Sequence, residues 1–297
     1  LVKTAYDRYV EFALRSQPLI RSVADKRPAQ QSMPGSSVVF SIYNDLAPVT
    51  AALSSESTDP DAVALSDVTT VAVTLAEYGN ASLVTRKLQL FSLSDVDPAV
   101  ADIIAYNMAD SLDKIAMETL RQGTNVLYGG TRTSTATITA SDTLTAAKVR
   151  KAVAKLRANK AVPREGSLYW CGIHPEVSHD LRAETGVGGW NDMHKYAETG
   201  TGNFWAGSIG TFEGAFFVET PRMYTATDGA SSATVYRTIL AGKQALAEAV
   251  AQEPGVVIGP VTDKLLRFRP IGWYGVLGFS LYRQAALYRI ETGSSIA

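Results

Sequence analysis

From Asp97 to Gly123 the residues Val100, Ile103, Ile104, Met108, Leu112, Ile115 and Thr119 recur every third or fourth position. Asp102, Asp110, Asp113, Lys114, Glu118 and Arg121 fall mostly between them. This period predicts one long helix, with Asp97 as its N-cap, Pro98 in its first turn, and Arg121 and Gly123 at its far end. At 1.5 Å per residue such a helix is about 37 Å long and needs an equally long partner surface.

Ahead of it the pattern is different. Residues 4–16 form a thin helical stripe with Tyr6, Tyr9, Val10, Ala13 and Leu14 toward one side. Pro18, Pro28 and Pro34 then punctuate a polar stretch, basic at Lys26 and Arg27, that suits either an extended arm on another surface or a disordered tail. Ser36 to Leu46 reads as a strand, with Val38, Phe40 and Ile42 alternating against Ser37, Val39 and Ser41. Ser54 to Asp67 is acidic, Ser-rich and broken by Pro60, which predicts a loop. Val71, Val73 and Leu75 alternate with Thr70, Ala72 and Thr74, Gly79-Asn80 predicts a turn, and a second run ends in Leu88, Leu90 and Phe91. A two-stranded ribbon is marginal alone in water, so these strands must lie on a sheet, on the long helix or on another subunit.

After the long helix, Tyr128 to Asp142 is rich in Gly and Thr and has little to pack. Thr143 to Lys160 is a second helix, with Val149, Ala152, Val153 and Leu156 inward and Lys148, Arg150, Lys151, Lys155 and Arg157 outward. In a neutral chain that basic face reads as a solvated surface; contact with a polyanion or an acidic neighbour is the functional alternative. A strand over Ser167–Ile173 runs through His174-Pro175 into a helix over Pro175–Glu184, which makes an α/β unit. Residues 186–214 mix glycines with Trp190, Phe204, Trp205 and Phe212, predicting ordered loops with aromatic anchors. Gly214–Glu219 and Thr234–Leu240 are further strands, Lys243–Ala251 reads as a short Ala-rich helix before Val256, Val257 and Ile258, and Ile271–Ile290 is Gly-punctuated strand.

The 297 residues, 46% hydrophobic, suffice for one large or two modest cores. Lys and Arg number 28 against 29 Asp and Glu, for a net charge of −1. That argues against a dedicated nucleic-acid binder held by counterion release, while a wall that adjoins DNA remains compatible. A single cysteine, Cys171, excludes an intramolecular disulfide framework, and three histidines limit any metal site. No apolar run approaches the roughly 20 residues of a transmembrane helix, and no signal-peptide pattern opens the chain. The chain opens on Leu1, which implies residues ahead of it.

His174 and His179, with Glu176 and Asp180, form one cluster that resembles a site, and His194 could complete a metal set. Two zinc-binding histidines on one helical face stand four apart, whereas these stand five apart; His174-Pro175 after a strand is an ordinary helix start. Cys171 lies in an apolar strand, where cysteines are mostly inert. Gly207 to Gly214 has the glycines of a phosphate loop but lacks its Lys-Ser/Thr ending, and tight turns account for it better. Asp59 and Asp61 lie in a polar loop with nothing to raise a pKa. The expectation is a protein without catalytic, metal or cofactor residues.

Six stretches together resemble a known family. They are Gly35-Ser-Ser-Val-Val-Phe-Ser-Ile-Tyr43, Glu77-Tyr-Gly-Asn80 leading into Leu83–Phe91, Asp97–Leu120, Tyr169-Trp-Cys-Gly-Ile-His-Pro175, Ile209-Gly-Thr-Phe-Glu-Gly-Ala-Phe-Phe-Val-Glu-Thr220 and Gly272-Trp-Tyr-Gly275. In this order they are similar to the major capsid proteins of tailed bacteriophages with the Hong Kong 97-type fold, and more narrowly to the N4-type branch. The resemblance implies an α+β fold with an N-terminal arm (1–35), an extended E-loop ribbon (36–93), a P-domain with a spine helix (94–144), an A-domain (145–260) and strands returning to the P-domain (261–297). It implies self-assembly as hexamers and pentamers into an icosahedral head around double-stranded DNA. Assembly in the host cytoplasm, a portal, and scaffolding or decoration proteins come with it. An encapsulin-like compartment shell is the alternative with the same fold, and a metal hydrolase using His174, His179 and His194 is the alternative from another class.

Overall fold

In the computed structural model the described residues are 15–28, 37–43, 45–50, 52, 63–64, 68–91, 96–185, 208–261 and 263–296. Residues 4–14 of the helix expected over 4–16, most of the Ser54–Asp67 loop, and the anchors Trp190, Phe204 and Trp205 lie outside them, and residues 15 and 16 are not helical.

Two sheets share the long helix. The larger has the order β5 (Val126–Tyr128), β13 (Leu287–Thr292), β10 (Val235–Ala241), β6 (Tyr169–Ile173), β8 (Ala215–Glu219) and β7 (Ser208–Phe212), with β9 (Thr225–Ala226) also paired to β10. Its central strands are near-continuous apolar runs because both faces are covered: every residue of β6 and β10 is buried. Helices α3 (Ala146–Ala158) and α4 (Pro175–Ala183) cover one face, packing Val149, Ala152, Val153, Leu156, Val177 and Leu181 onto Tyr169, Cys171, Phe217 and Leu240. The end of α2 (Val96–Leu120) and the turn Ile20–Val23 cover the other, where Ala116, Met117, Leu120, Ile20 and Val23 meet Trp170, Phe216 and Ile239.

The smaller sheet has the order β1 (Ala24–Pro28), β11 (Leu246–Ile258), β12 (Phe268–Leu281) and β4 (Ala76–Thr85). Helix α2 crosses one face of it, seating Ile104 on Val84, Ile271 and Trp273, and Leu112 on Val250 and Leu277. The Trp273 indole N–H donates to Asn107 on the helix at 3.0 Å. On the opposite face lies a two-stranded ribbon, β2 (Ser37–Ile42) with β3 (Thr69–Thr74), whose Phe40 and Val73 pack on Ala247, Ala249 and Tyr282. Gly278 makes that approach possible, since a Cβ there would stand 2.0 Å from the Thr74 carbonyl oxygen.

Gly79 and Asn80 make no turn: they lie inside β4, opposite Tyr274 and Trp273 of β12. Gly79 is needed for close approach, as a Cβ would meet the Trp273 carbonyl oxygen at 2.8 Å. The ribbon is therefore β2–β3 alone, and the run ending in Leu88, Leu90 and Phe91 is the short helix α1 (Arg86–Phe91). Lys243–Ala251 is not helix but the start of β11; Ala247 and Ala249 face the ribbon while Leu246 and Val250 face the helices, so tertiary packing overrides alanine's helical preference. The Pro-punctuated segment is neither tail nor free arm over Ala24–Pro28, where it pairs in parallel with β11. Ile271–Ile290 divides into β12 and β13 around a turn at Gln284–Ala286. Helix α2 starts at Val96, so Asp97 lies within its first turn rather than at its cap. Its buried stripe is rotated from the expected one: Ile103 is half exposed, whereas Asp113, expected among the outward polar residues, is fully buried.

Candidate functional site

Among the described residues the histidine cluster does not assemble. His174 ends β6 and caps α4, its Nδ1 accepting the Glu176 N–H at 3.4 Å, with its ring 5.0 Å from that of Tyr236. Burial pushes its pKa down, against the pull of Glu176 and Glu219. The Tyr236 hydroxyl donates to the Glu176 carboxylate, and burial with that carboxylate raises its pKa. His179 is mostly exposed, beside an Asp180 carboxylate that accepts the Ser295 N–H at 2.9 Å. Burial would raise the Asp180 pKa, but donors from Ser295 and His179 hold it below the usual range. His194, Asp59 and Asp61 lie outside the described residues, among which no three His, Cys, Asp or Glu side chains are grouped to hold a metal. Cys171 is wholly buried in β6, and burial pushes its thiol pKa up, away from nucleophilic use. From Ser208 on, the glycine-rich run is the β7–β8 hairpin, turned at Glu213 (φ 51°) and Gly214 (φ 82°).

What the fold does bring together is a junction of buried charge that period counting misses. Asp113, on the buried face of α2, accepts N–H groups from Ile20 at 2.6 Å and Arg21 at 3.0 Å, and the Arg222 Nε–H at 2.7 Å. Arg222 also donates to the Asp110 carbonyl and to Ser16 Oγ, each at 3.1 Å, and pairs with the Asp110 carboxylate. Arg21 reaches the fully buried Glu248 on β11 through Nε at 2.8 Å and Nη2 at 2.5 Å. One carboxylate thus ties together the N-terminal segment, the long helix and the loop after β8, and the next arginine ties that segment to the smaller sheet. A cleft lined by Ser16, Tyr106, Asp110, Lys114 and Arg222 opens beside this junction, but Asp113 and Arg222 are taken up by their partners within the subunit. The signal in the sequence is the position of Asp113, three before Ala116 and four before Met117, on the face those two bury.

Elsewhere the single chain leaves apolar side chains in water. Beyond the ribbon Tyr43, Leu46, Val49 and Val63 are exposed, Val49 at 84%. At the far end of the smaller sheet Leu83, Leu88, Leu90, Ile258, Leu265 and Leu266 are exposed, Leu90 at 73%. Concentrations of this kind mark surfaces that another molecule covers.

A sequence profile described as phage capsid protein matches residues 111–285, more than half of the chain. The chain belongs to the phage capsid protein family. This capsid protein is similar in structure to the capsid of Ralstonia phage GP4, with a TM-score of 0.77, 16% identity, and 99% of this chain and 95% of that one covered. It is likewise similar to the cyanophage Pam1 capsid, with a TM-score of 0.75, 16% identity, and 99% and 96% covered. The capsid of Helicobacter pylori bacteriophage KHP30 gives a TM-score of 0.74 at 14% identity, with 98% and 96% covered. No curated sequence matches. The capsid protein therefore has the Hong Kong 97-type fold of tailed-phage capsids, α+β in class, and is a structural component of the virion shell.

Proposed function

We propose that this capsid protein is the major capsid protein of a tailed double-stranded DNA phage of the N4-type branch, closing as hexamers and pentamers into an icosahedral head. In this reading residues 1–35 are the arm, 36–93 the E-loop, 94–144 and 261–297 the P-domain with α2 as spine, and 145–260 the A-domain. No residue is assigned a catalytic, metal-binding or cofactor role, and a portal with scaffolding or decoration proteins joins the copies.

The observation that carries the reading is the apolar surface left open at both extremities, at Tyr43, Leu46, Val49 and Val63 at one and at Leu83, Leu88, Leu90, Ile258, Leu265 and Leu266 at the other. In a head-to-tail ring each subunit offers two different surfaces, so one copy's uncovered end is covered by the next. A chain near neutrality also suits crowding of copies, since strong self-repulsion would oppose closure. The family match supports a phage head over a cargo compartment.

Electron microscopy of the expressed full chain tests this. Closed shells, or rings with five- and six-fold symmetry, are expected; a monodisperse monomer at high concentration would count against the reading. Amide exchange gives a second test. The β2–β3 ribbon rests on few core residues, so it should exchange rapidly in free subunits and slowly in particles, and equal protection in both would remove its role between copies.

A further inference from the structure

Helix α3 buries Val149, Ala152, Val153 and Leu156 and turns its opposite face away from the core. No acidic residue occurs between Asp142 and Glu165, a stretch that carries Lys148, Arg150, Lys151, Lys155, Arg157, Lys160 and Arg164. On the helix itself only Arg150 forms an ion pair among the described residues, with Glu213 at 2.8 Å. The other nearby carboxylate, Glu184, is taken up by the Ala146 N–H at 2.8 Å.

The arrangement of this face is specific. At 100° per residue Ala147, Ala154 and Ala158, all exposed, run along its middle. Lys148, Lys151 and Lys155 line one side of that ridge, and Arg150 and Arg157 the other. Lys148 to Lys155, and likewise Arg150 to Arg157, span about 10 Å of helix. A protein partner is held chiefly by large aromatic or aliphatic anchors set in pockets, and α3 exposes no apolar side chain larger than alanine. A phosphate backbone needs only spaced cations and room for close approach, which an alanine ridge supplies.

We propose that this face of α3 is a sequence-independent contact for the phosphate backbone of double-stranded DNA, on the side of the wall turned to the genome. It rests on the shell reading above for the source of that DNA. With four cations free of ion pairs the contact of one copy is weak, and its effect comes from the number of copies lining a closed wall. A formal charge of −1 over the whole chain does not oppose this, because the cations are gathered on one helix.

The test titrates full-length subunits with a labelled DNA duplex of arbitrary sequence at two salt concentrations. Four contacts give a slope near −3.6, so raising salt about threefold should weaken binding about 50-fold. Neutralising three exposed cations as Lys151→Gln, Lys155→Gln and Arg157→Gln should cut that to about threefold. Lys243→Gln with Lys264→Gln, exposed and remote in sequence, should leave the slope as in the parent. Failure of the parent to bind at low salt, or an unchanged slope in the triple variant, overturns the proposal. Electron microscopy of the same samples separates the two readings. Shells from the triple variant at the parent's yield are expected. A variant that binds DNA like the parent but no longer closes would make α3 a contact between copies, overturning the inference with the shell intact. Absence of shells even from the parent would sink the shell reading, while the titration would still judge the DNA contact.

Discussion

Asp113→Ala is expected to cost free subunits about 3–5 kcal/mol, enough to unfold most of them under mild denaturant. The carboxylate is fully buried and its removal orphans three donors at once, the Ile20 and Arg21 N–H groups and Arg222 Nε. Arg222, itself almost buried, would be left with Asp110 as its one carboxylate partner and Ser16 Oγ as a neutral one. Asp113→Asn keeps one oxygen for the Ile20 and Arg21 N–H groups but loses the charge and the second oxygen that accepts from Arg222 Nε, so it should cost less than Asp113→Ala, about 1–3 kcal/mol. Urea unfolding of subunits held below assembly concentration gives the comparison. An alanine variant within about 0.5 kcal/mol of the parent would show that the junction carries no stability. The same junction sets an acid limb. Burial would raise the Asp110 pKa, but Lys114 and Arg222 outweigh it and hold the carboxyl below its ordinary value. The stabilisation is therefore complete above the unfolded carboxyl's pKa and is lost as pH falls through the lower folded one, and Asp110→Asn should flatten that limb.

Much of this fold is legible in the sequence wherever one face of an element is covered and the other is wet. Helix α3 shows this: Val149, Ala152, Val153 and Leu156 are buried as their spacing predicts. So do β2 and β3, where Phe40 and Val73 point inward in alternation. The order of arm, ribbon, long helix and mixed domain carries the family likeness, which the profile match bears out at the level of phage capsid protein. Legibility fails where a neighbour distant in sequence decides the outcome. Ala-rich β11 becomes strand only because β12 and β1 flank it and the ribbon needs small residues beneath it. Gly79-Asn80 has turn chemistry, yet Gly79 serves an approach to Trp273, nearly two hundred residues on in the chain. Asp113 looks like a surface residue because its three donors come from two other segments.

The second large effect concerns Glu248, and it separates packing from charge. Arg21→Met is expected to destabilise by about 3–5 kcal/mol, because it leaves a fully buried carboxylate without its cation. Glu248 Oε2 already lacks a hydrogen-bond partner among the described residues, so the carboxylate has no second anchor inside the fold. The outer contact of Arg21, to Glu253 at 3.3 Å, is solvent-exposed and adds little. Replacing both partners, Arg21→Met with Glu248→Leu, removes the charge along with its need, and stability should return to within about 1 kcal/mol of the parent or rise above it. The single variant should also behave differently in assembly. With Arg21 gone, the turn ahead of β1 loses its side-chain tie to β11; the backbone pairing of β1 with β11 is then held with one anchor fewer and the edge of the smaller sheet opens more readily to other chains, so aggregates should appear where the parent gives ordered particles. Denaturant midpoints and light scattering on the parent, the single and the double variant measure both effects together. A double variant as unstable as the single one would show that the guanidinium matters through its packing and its hold on the arm, and that the charge of Glu248 is incidental.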